Sequence, residues 1–208
     1  MDKLDPEKIT VDEKVKMEAA RLDKVSVNKN PSPWMDPATP GMKVCSLNTL
    51  SLRKHIDDVR SDPVLLQSDI LCLQETWLED GEENDERYQI EGFRSHFVSG
   101  GRGKGLAVYV KRELRSVNSV SKFGEQNIQI IKVDMRKLDL IAIYRSKDEP
   151  LYQATHHLMN HVNPEKDTLV IGDFNFRANE VNEMSKYLDR AGFSQLVTLP
   201  THIRGGIN

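Results

Sequence analysis

Short apolar runs recur along the chain from residue 42 onward, each closed by a polar side chain. Lys43-Val44-Cys45-Ser46-Leu47 ends in Asn48, Asp69-Ile70-Leu71-Cys72-Leu73 ends in Gln74-Glu75, and Leu169-Val170-Ile171 ends in Gly172-Asp173-Phe174-Asn175. Runs this short, rich in β-branched residues, predict buried strands. Leu106 to Val110, Asn127 to Val133 and Leu138 to Tyr144 are three more, the last two joined as a hairpin by the charged turn Asp134 to Lys137. Helical spacing takes over elsewhere. Leu52, Ile56 and Val59 share one helix face until Asp62-Pro63 breaks the run, and Leu151 to Val162 predicts a second helix. Val181, Met184, Leu188 and Ala191 predict a third, closed by Gly192, before Gln195 to Leu199 returns as a strand. Strands alternating with helices predict a layered α/β fold.

Residues 1–41 break that pattern. Asp, Glu and Lys dominate up to Lys29, and the prolines at 31, 33, 37 and 40 exclude regular structure, so the segment is expected to be a polar tail or linker. Val15, Ala19 and Leu22 are too sparse to bury a helix over Glu13 to Leu22; Trp34 is a candidate anchor to the domain. With 38% hydrophobic and 29% charged residues in 208, one α/β domain over 42–208 is expected.

A formal net charge of −3 excludes a global basic footprint for nucleic acid, so attraction to a polyanion needs local clustering. The densest cluster is Arg94, His96, Arg102, Lys104, Lys111, Arg112 and Arg115, open to two readings: a solvated strand flank or a DNA-facing loop. Cys45 and Cys72 lie inside strand candidates and are expected buried and reduced. No apolar run approaches the roughly 20 residues that span a bilayer, and the N-terminus has no signal-peptide pattern. A soluble, intracellular protein without a membrane partner is expected.

Three strand ends deliver Asn48, Glu75, Asp173 and Asn175. Oxygen donors with one or two carboxylates, and no His or Cys among them, suit a Mg²⁺ ion that keeps several waters and takes further ligands from a substrate phosphate. Phosphodiester chemistry follows. Gly100 to Gly105 lacks phosphate-loop spacing and runs into a strand, so a mobile loop is expected there. His55, His96, His156, His157 and His161 show no metal-ligand spacing.

Asn48, Leu-Gln-Glu-Thr at 73–76, an apolar strand ending in Tyr144 and Gly-Asp-Phe-Asn at 172–175 occur in the order seen in the endonuclease/exonuclease/phosphatase family, which the chain resembles from about Lys43 onward. The resemblance implies a four-layered α/β sandwich of two mixed sheets flanked by helices. It implies Glu75 as the main Mg²⁺ ligand (Mn²⁺ as a substitute), with Asn48 and Asp173 at the metal. Asp173 is the expected proton-transfer group, and Asn175 and Tyr144 would reach the phosphoryl oxygens. Leu-Gln-Glu-Thr-Trp at 73–77, Gly-Arg-Gly-Lys-Gly at 101–105, Tyr-Arg-Ser at 144–146 and Pro-Thr-His-Ile-Arg-Gly at 200–205 are most similar to endonuclease domains of mobile elements, retrotransposon or Helitron in type. DNA is then the expected substrate, a longer polypeptide with helicase or reverse transcriptase the expected context, and the nucleus the expected site in a eukaryote.

The family's pattern continues into a strand bearing Asp and a terminal Ser-Asp-His, whereas this chain stops at Asn208 and its His202 belongs to the earlier Thr-His-Ile-Arg-Gly stretch. The fold is therefore expected to lack its last strands, as a fragment or a decayed copy. Two alternatives are an inositol polyphosphate phosphatase, hinted at by Arg177, and a non-catalytic nucleic-acid-binding remnant.

Overall fold

The computed structural model describes residues 41–176 and 181–197. In chain order the elements are β1 (Val44–Asn48), α1 (Leu52–Ser61), α2 (Pro63–Leu66), β2 (Ile70–Gln74), β3 (Phe93–Val98), β4 (Leu106–Lys111), β5 (Val117–Glu125), β6 (Ile128–Met135), β7 (Leu138–Arg145), α3 (Leu151–Met159), β8 (Asp167–Asp173) and α4 (Glu183–Arg190). One sheet has the order β1-β2-β4-β3, the other β5-β6-β7-β8. Both are mixed: β1 runs parallel to β2 and β7 parallel to β8, while every other pairing is antiparallel.

Strand alternation sorts the apolar side chains into three layers of core. Ile70, Cys72, Val108, Ile131, Leu140 and Ala142 fill the space between the sheets. Leu71, Leu73 and Tyr109 point the other way and are covered by Leu52, Ile56 and Val59 of α1. Ile130, Ile141 and Ile143 on the second sheet's outer face meet Ala154 and Leu158 of α3 and Met184 of α4. The result is the four-layered α/β sandwich, helices outside and sheets within.

Local chemistry sets the element ends. Pro63 stops α1 and opens α2, whose free N–H groups at Val64 and Leu65 lie 2.8 and 3.2 Å from the Asp62 carboxylate. A reciprocal Asn182–Ser185 capping box starts α4. The β6–β7 hairpin forms as expected, with Asp134 opposite Asp139.

Several expectations need correction. β3 and β5, each at an end of its sheet, carry no uninterrupted apolar run and were not expected from the sequence, and β5 is mostly exposed. Residues 195–197 of the expected strand Gln195 to Leu199 are irregular, with Leu196 and Val197 exposed. Cys72 is fully buried, but Cys45, on the end strand β1, is only half-buried; both are free thiols. Burial raises the pKa of each, with Asp62 adding to the effect at Cys45 and Cys45 at Cys72. The basic cluster is divided by β4. Leu106 pairs with Gln74, so Arg102 and Lys104 precede β4 at the end where β2 finishes. Lys111 closes β4 at its other end and Arg112 and Arg115 follow it, together with Arg94, which pairs with Val110. Five strand steps, roughly 17 Å, separate the two groups. Trp34, Arg177 and His202 lie outside the described residues, as do the tail over 1–40 and the stretch 200–205.

Candidate active site

The site is built where β1, β2, β7 and β8 end together. Val44 packs between the sheets, so alternation carries Asn48 to that same face; Leu169 and Ile171 do the same for Asp173, and Leu140 and Ala142 for Tyr144. Tyr144 and Asp173 are direct partners across the parallel β7–β8 pair. Glu75 is different. Strict alternation from Leu71 and Leu73 would aim it at the α1 layer, but its backbone is left-handed (φ 51°), and the chain swings its carboxylate back toward Asn48. The turn is held by Ser51 N–H donating to the Glu75 carbonyl at 2.9 Å, and the buried Thr49 hydroxyl lies 2.9 Å from the Gln74 carbonyl.

One amide joins the two sheets. Asn48 Nδ2 donates to Glu75 Oε1 and to Asp173 Oδ2, both at 2.9 Å, so the two carboxylate oxygens lie within twice that distance of each other. Asn48 Oδ1 accepts from Leu50 N–H at 3.0 Å, which fixes the orientation of the amide. The Asx turn that the sequence allows for Asn48 and its place in the site are therefore the same structure.

On the β8 side, Gly172 has φ 148°, and a Cβ there would lie 1.8 Å from the Ile143 carbonyl oxygen; only glycine lets β8 approach β7 this closely. Asp173 Oδ1 accepts from Asn175 N–H at 2.9 Å, and Asn175 is itself left-handed (φ 54°). The Asn175 side-chain amide donates to the Arg145 carbonyl at 2.6 Å, so it serves the turn first. Tyr144 donates its hydroxyl to the Gly103 carbonyl at 2.7 Å. Burial, then Glu75, Asp173 and Asp148, push the Tyr144 phenol up to about 12.

Asn48, Glu75 and Asp173 thus form one cluster, with Tyr144 beside it and Asn175 bracing it from behind. Arg145 was not foreseen as a site residue. It is buried, and its guanidinium donates to the Phe174 carbonyl at 2.7 Å and the Glu149 carbonyl at 3.0 Å, clamping the loop that carries Asp173 and Asn175. A charge directly following the apolar run Leu138 to Tyr144 is the signal that could have found it.

The donor set suits a hard divalent cation. Among the described residues no Lys or Arg forms an ion pair with Glu75 or Asp173. No group of three or more His, Cys, Asp and Glu that could hold a metal gathers among them either. Two carboxylates and an amide leave coordination positions for water and substrate oxygen, which fits Mg²⁺ better than a transition metal held in a closed shell.

Fold and site define a class: a four-layered α/β sandwich with an acidic cluster at the ends of strands from both sheets. The chain belongs to the Endonuclease/Exonuclease/phosphatase family, whose sequence profile matches residues 45–182. Among solved structures it is similar to an AP endonuclease from Archaeoglobus fulgidus, with a TM-score of 0.51 and 22% identity over 71% of this chain and 63% of that one. It is also similar to the AP endonuclease LMAP from Leishmania major (0.48, 14%, 76% and 67%) and to the 3'-5' exonuclease NExo from Neisseria meningitidis (0.46, 19%, 70% and 63%). These likenesses concern the fold, and the chain spans about 63% of the length of the archaeal enzyme. No curated protein matches the chain.

Proposed function

We propose that this chain is a Mg²⁺-dependent phosphodiesterase that cleaves DNA, an endonuclease domain of mobile-element type. The observation that carries the reading is the Asn48 amide held between the Glu75 and Asp173 carboxylates, a concentrated negative charge with no basic partner among the described residues. Two carboxylates brought together at about hydrogen-bonding distance from one amide are costly unless a cation offsets them. Family membership supports phosphoester hydrolysis, and Leu-Gln-Glu-Thr-Trp at 73–77 with Tyr-Arg-Ser at 144–146 supports the mobile-element type.

Glu75 and Asp173 would hold the ion, with Asn48 setting their spacing. Bound there, Mg²⁺ supplies positive charge to a phosphoryl oxygen. The protein groups supply the remaining chemistry. As the oxygen of the attacking water bonds to phosphorus and the bond to the leaving 3′-side oxygen breaks, Asp173 takes part in the proton transfer. Its Oδ1 and Oδ2 are each held by one donor, Asn175 N–H and Asn48 Nδ2, so the carboxylate cannot rotate away. Tyr144 stays a neutral phenol at physiological pH and can re-aim its proton from Gly103 toward a phosphoryl oxygen. Cleavage leaves a 3′-hydroxyl.

The test is nicking of supercoiled plasmid in Mg²⁺ and in EDTA, run beside phosphate release from a soluble inositol polyphosphate. The expected result is nicked circles in Mg²⁺ alone and no phosphate release, with Asp173→Asn slower by roughly a hundredfold or more. Phosphate release without nicking, or an Asp173→Asn protein as fast as wild type, would overturn the reading.

A further inference from the structure

With the basic cluster divided by β4, several basic side chains of the domain are already engaged by neighbouring groups. Arg53 pairs with Glu82, Arg87 with Asp85, and Lys132 and Lys166 with Asp139. Lys104 donates to the Gln126 carbonyl and to Asn127 Oδ1. Lys54 and Arg102 differ: both are exposed, and neither has an ion pair among the described residues. Both approach the same ring. Lys54 Nζ lies 5.8 Å, and Arg102 Cζ 5.9 Å, from the centroid of the half-buried Trp77 indole.

Trp77 stands two residues beyond Glu75, and the backbone between them is rigidly tied. Leu52 N–H donates to the Thr76 carbonyl at 2.9 Å, Thr76 N–H to the Gly105 carbonyl at 3.3 Å, and Trp77 N–H to the Lys104 carbonyl at 2.8 Å. These bonds join the start of α1, which carries Lys54, to the glycine loop that carries Arg102. Two long, flexible cationic side chains on separate elements are thereby drawn to one indole ring, which reduces the freedom they would lose on meeting an anion. The arrangement also answers an electrostatic problem: an acidic cluster in a chain of net charge −3 repels a polyanion unless fixed cations stand beside it.

We infer that Lys54, Arg102 and Trp77 form the seat for DNA backbone phosphates flanking the bond to be cut, with Trp77 acting as a positioning residue that gathers the two cations. The inference rests on the DNA-cleaving reading above and names how that substrate is held.

Its test is equilibrium binding of a fluorescein-labelled duplex DNA in EDTA, where cleavage is stopped, as a function of salt. Each neutralised phosphate contributes about 0.9 to the slope of log K against log salt. Lys54→Gln/Arg102→Gln should lower that slope by about 1.8, and Trp77→Leu should weaken binding at low salt while melting like the wild type. Lys111→Gln/Arg112→Gln, at the far end of β4, should keep the wild-type slope. Equal slopes for wild type and Lys54→Gln/Arg102→Gln, or a loss confined to the far-end pair, would overturn the seat. Failure to nick with the slope difference intact would overturn the nuclease reading and leave the seat standing; failure of the wild type to bind DNA would overturn both.

Discussion

Glu75 holds a conformation that costs a non-glycine residue roughly 1–2 kcal/mol. The compensation is the hydrogen bond from Asn48 and whatever cation the carboxylate serves. Removing the carboxylate two ways separates strain from function. Glu75→Gly should be more stable than Glu75→Ala by about 1 kcal/mol in urea unfolding, since glycine accepts the left-handed backbone, while both lose activity. Equal stabilities would mean that the backbone at 75 is not strained. Tyr144 makes a second prediction. A phenol raised to about 12 in the fold, against about 10 in the unfolded chain, adds stability that is complete below pH 10 and is lost as pH rises through about 12. Ring-labelled tyrosine NMR, assigned with Tyr144→Phe, should show this resonance moving near 12; ionisation near 10 would contradict both the burial of the phenol and its place beside the Glu75 and Asp173 carboxylates.

At the level of elements, the site depends on how closely β8 can lie against β7. Gly172→Ala would drive a methyl group into the Ile143 carbonyl, forcing the strands apart just before Asp173. A loss of about 3 kcal/mol or more is expected from thermal or urea unfolding, together with loss of activity, because overpacking and a broken β ladder act at once. A near-neutral Gly172→Ala would show that β8 has room to move. This scale also shows what could be read from the sequence. β1, β2, β4, β6, β7 and β8 announced themselves because central or core-lined strands need continuous apolar runs, and Asn48, Glu75 and Asp173 stood out as polar closures of three of them. β3 and β5 did not: like β1 and β8 they end their sheets, but their apolar residues are interrupted by Arg94, His96, Ser119 and Lys122. Trp77 and Lys54 were equally silent: their meeting depends on how α1 and the glycine loop converge, which no local pattern encodes. Asn175 was legible as a site residue, but its side chain is committed to Arg145, a long-range contact invisible to spacing.

For the whole molecule, the sandwich works as a device for bringing two sheets' strand ends to one point. Asn48 and Glu75 come from one sheet, Tyr144 and Asp173 from the other, and the only hydrogen-bonded bridge between the carboxylates among the described residues is the Asn48 amide. Any cation bound there would tie the sheets together and add to stability by mass action. Asn48→Ala should therefore weaken such binding by roughly 10–100-fold, as expected for a group that orients ligands. The central claim is that Glu75 and Asp173 share one Mg²⁺ ion, and isothermal titration of the metal-free protein with Mg²⁺ tests it most directly. The account predicts a single site in the wild type that is lost in both Glu75→Gln and Asp173→Asn, with the fold of each variant intact. Undiminished Mg²⁺ binding in either variant would contradict it.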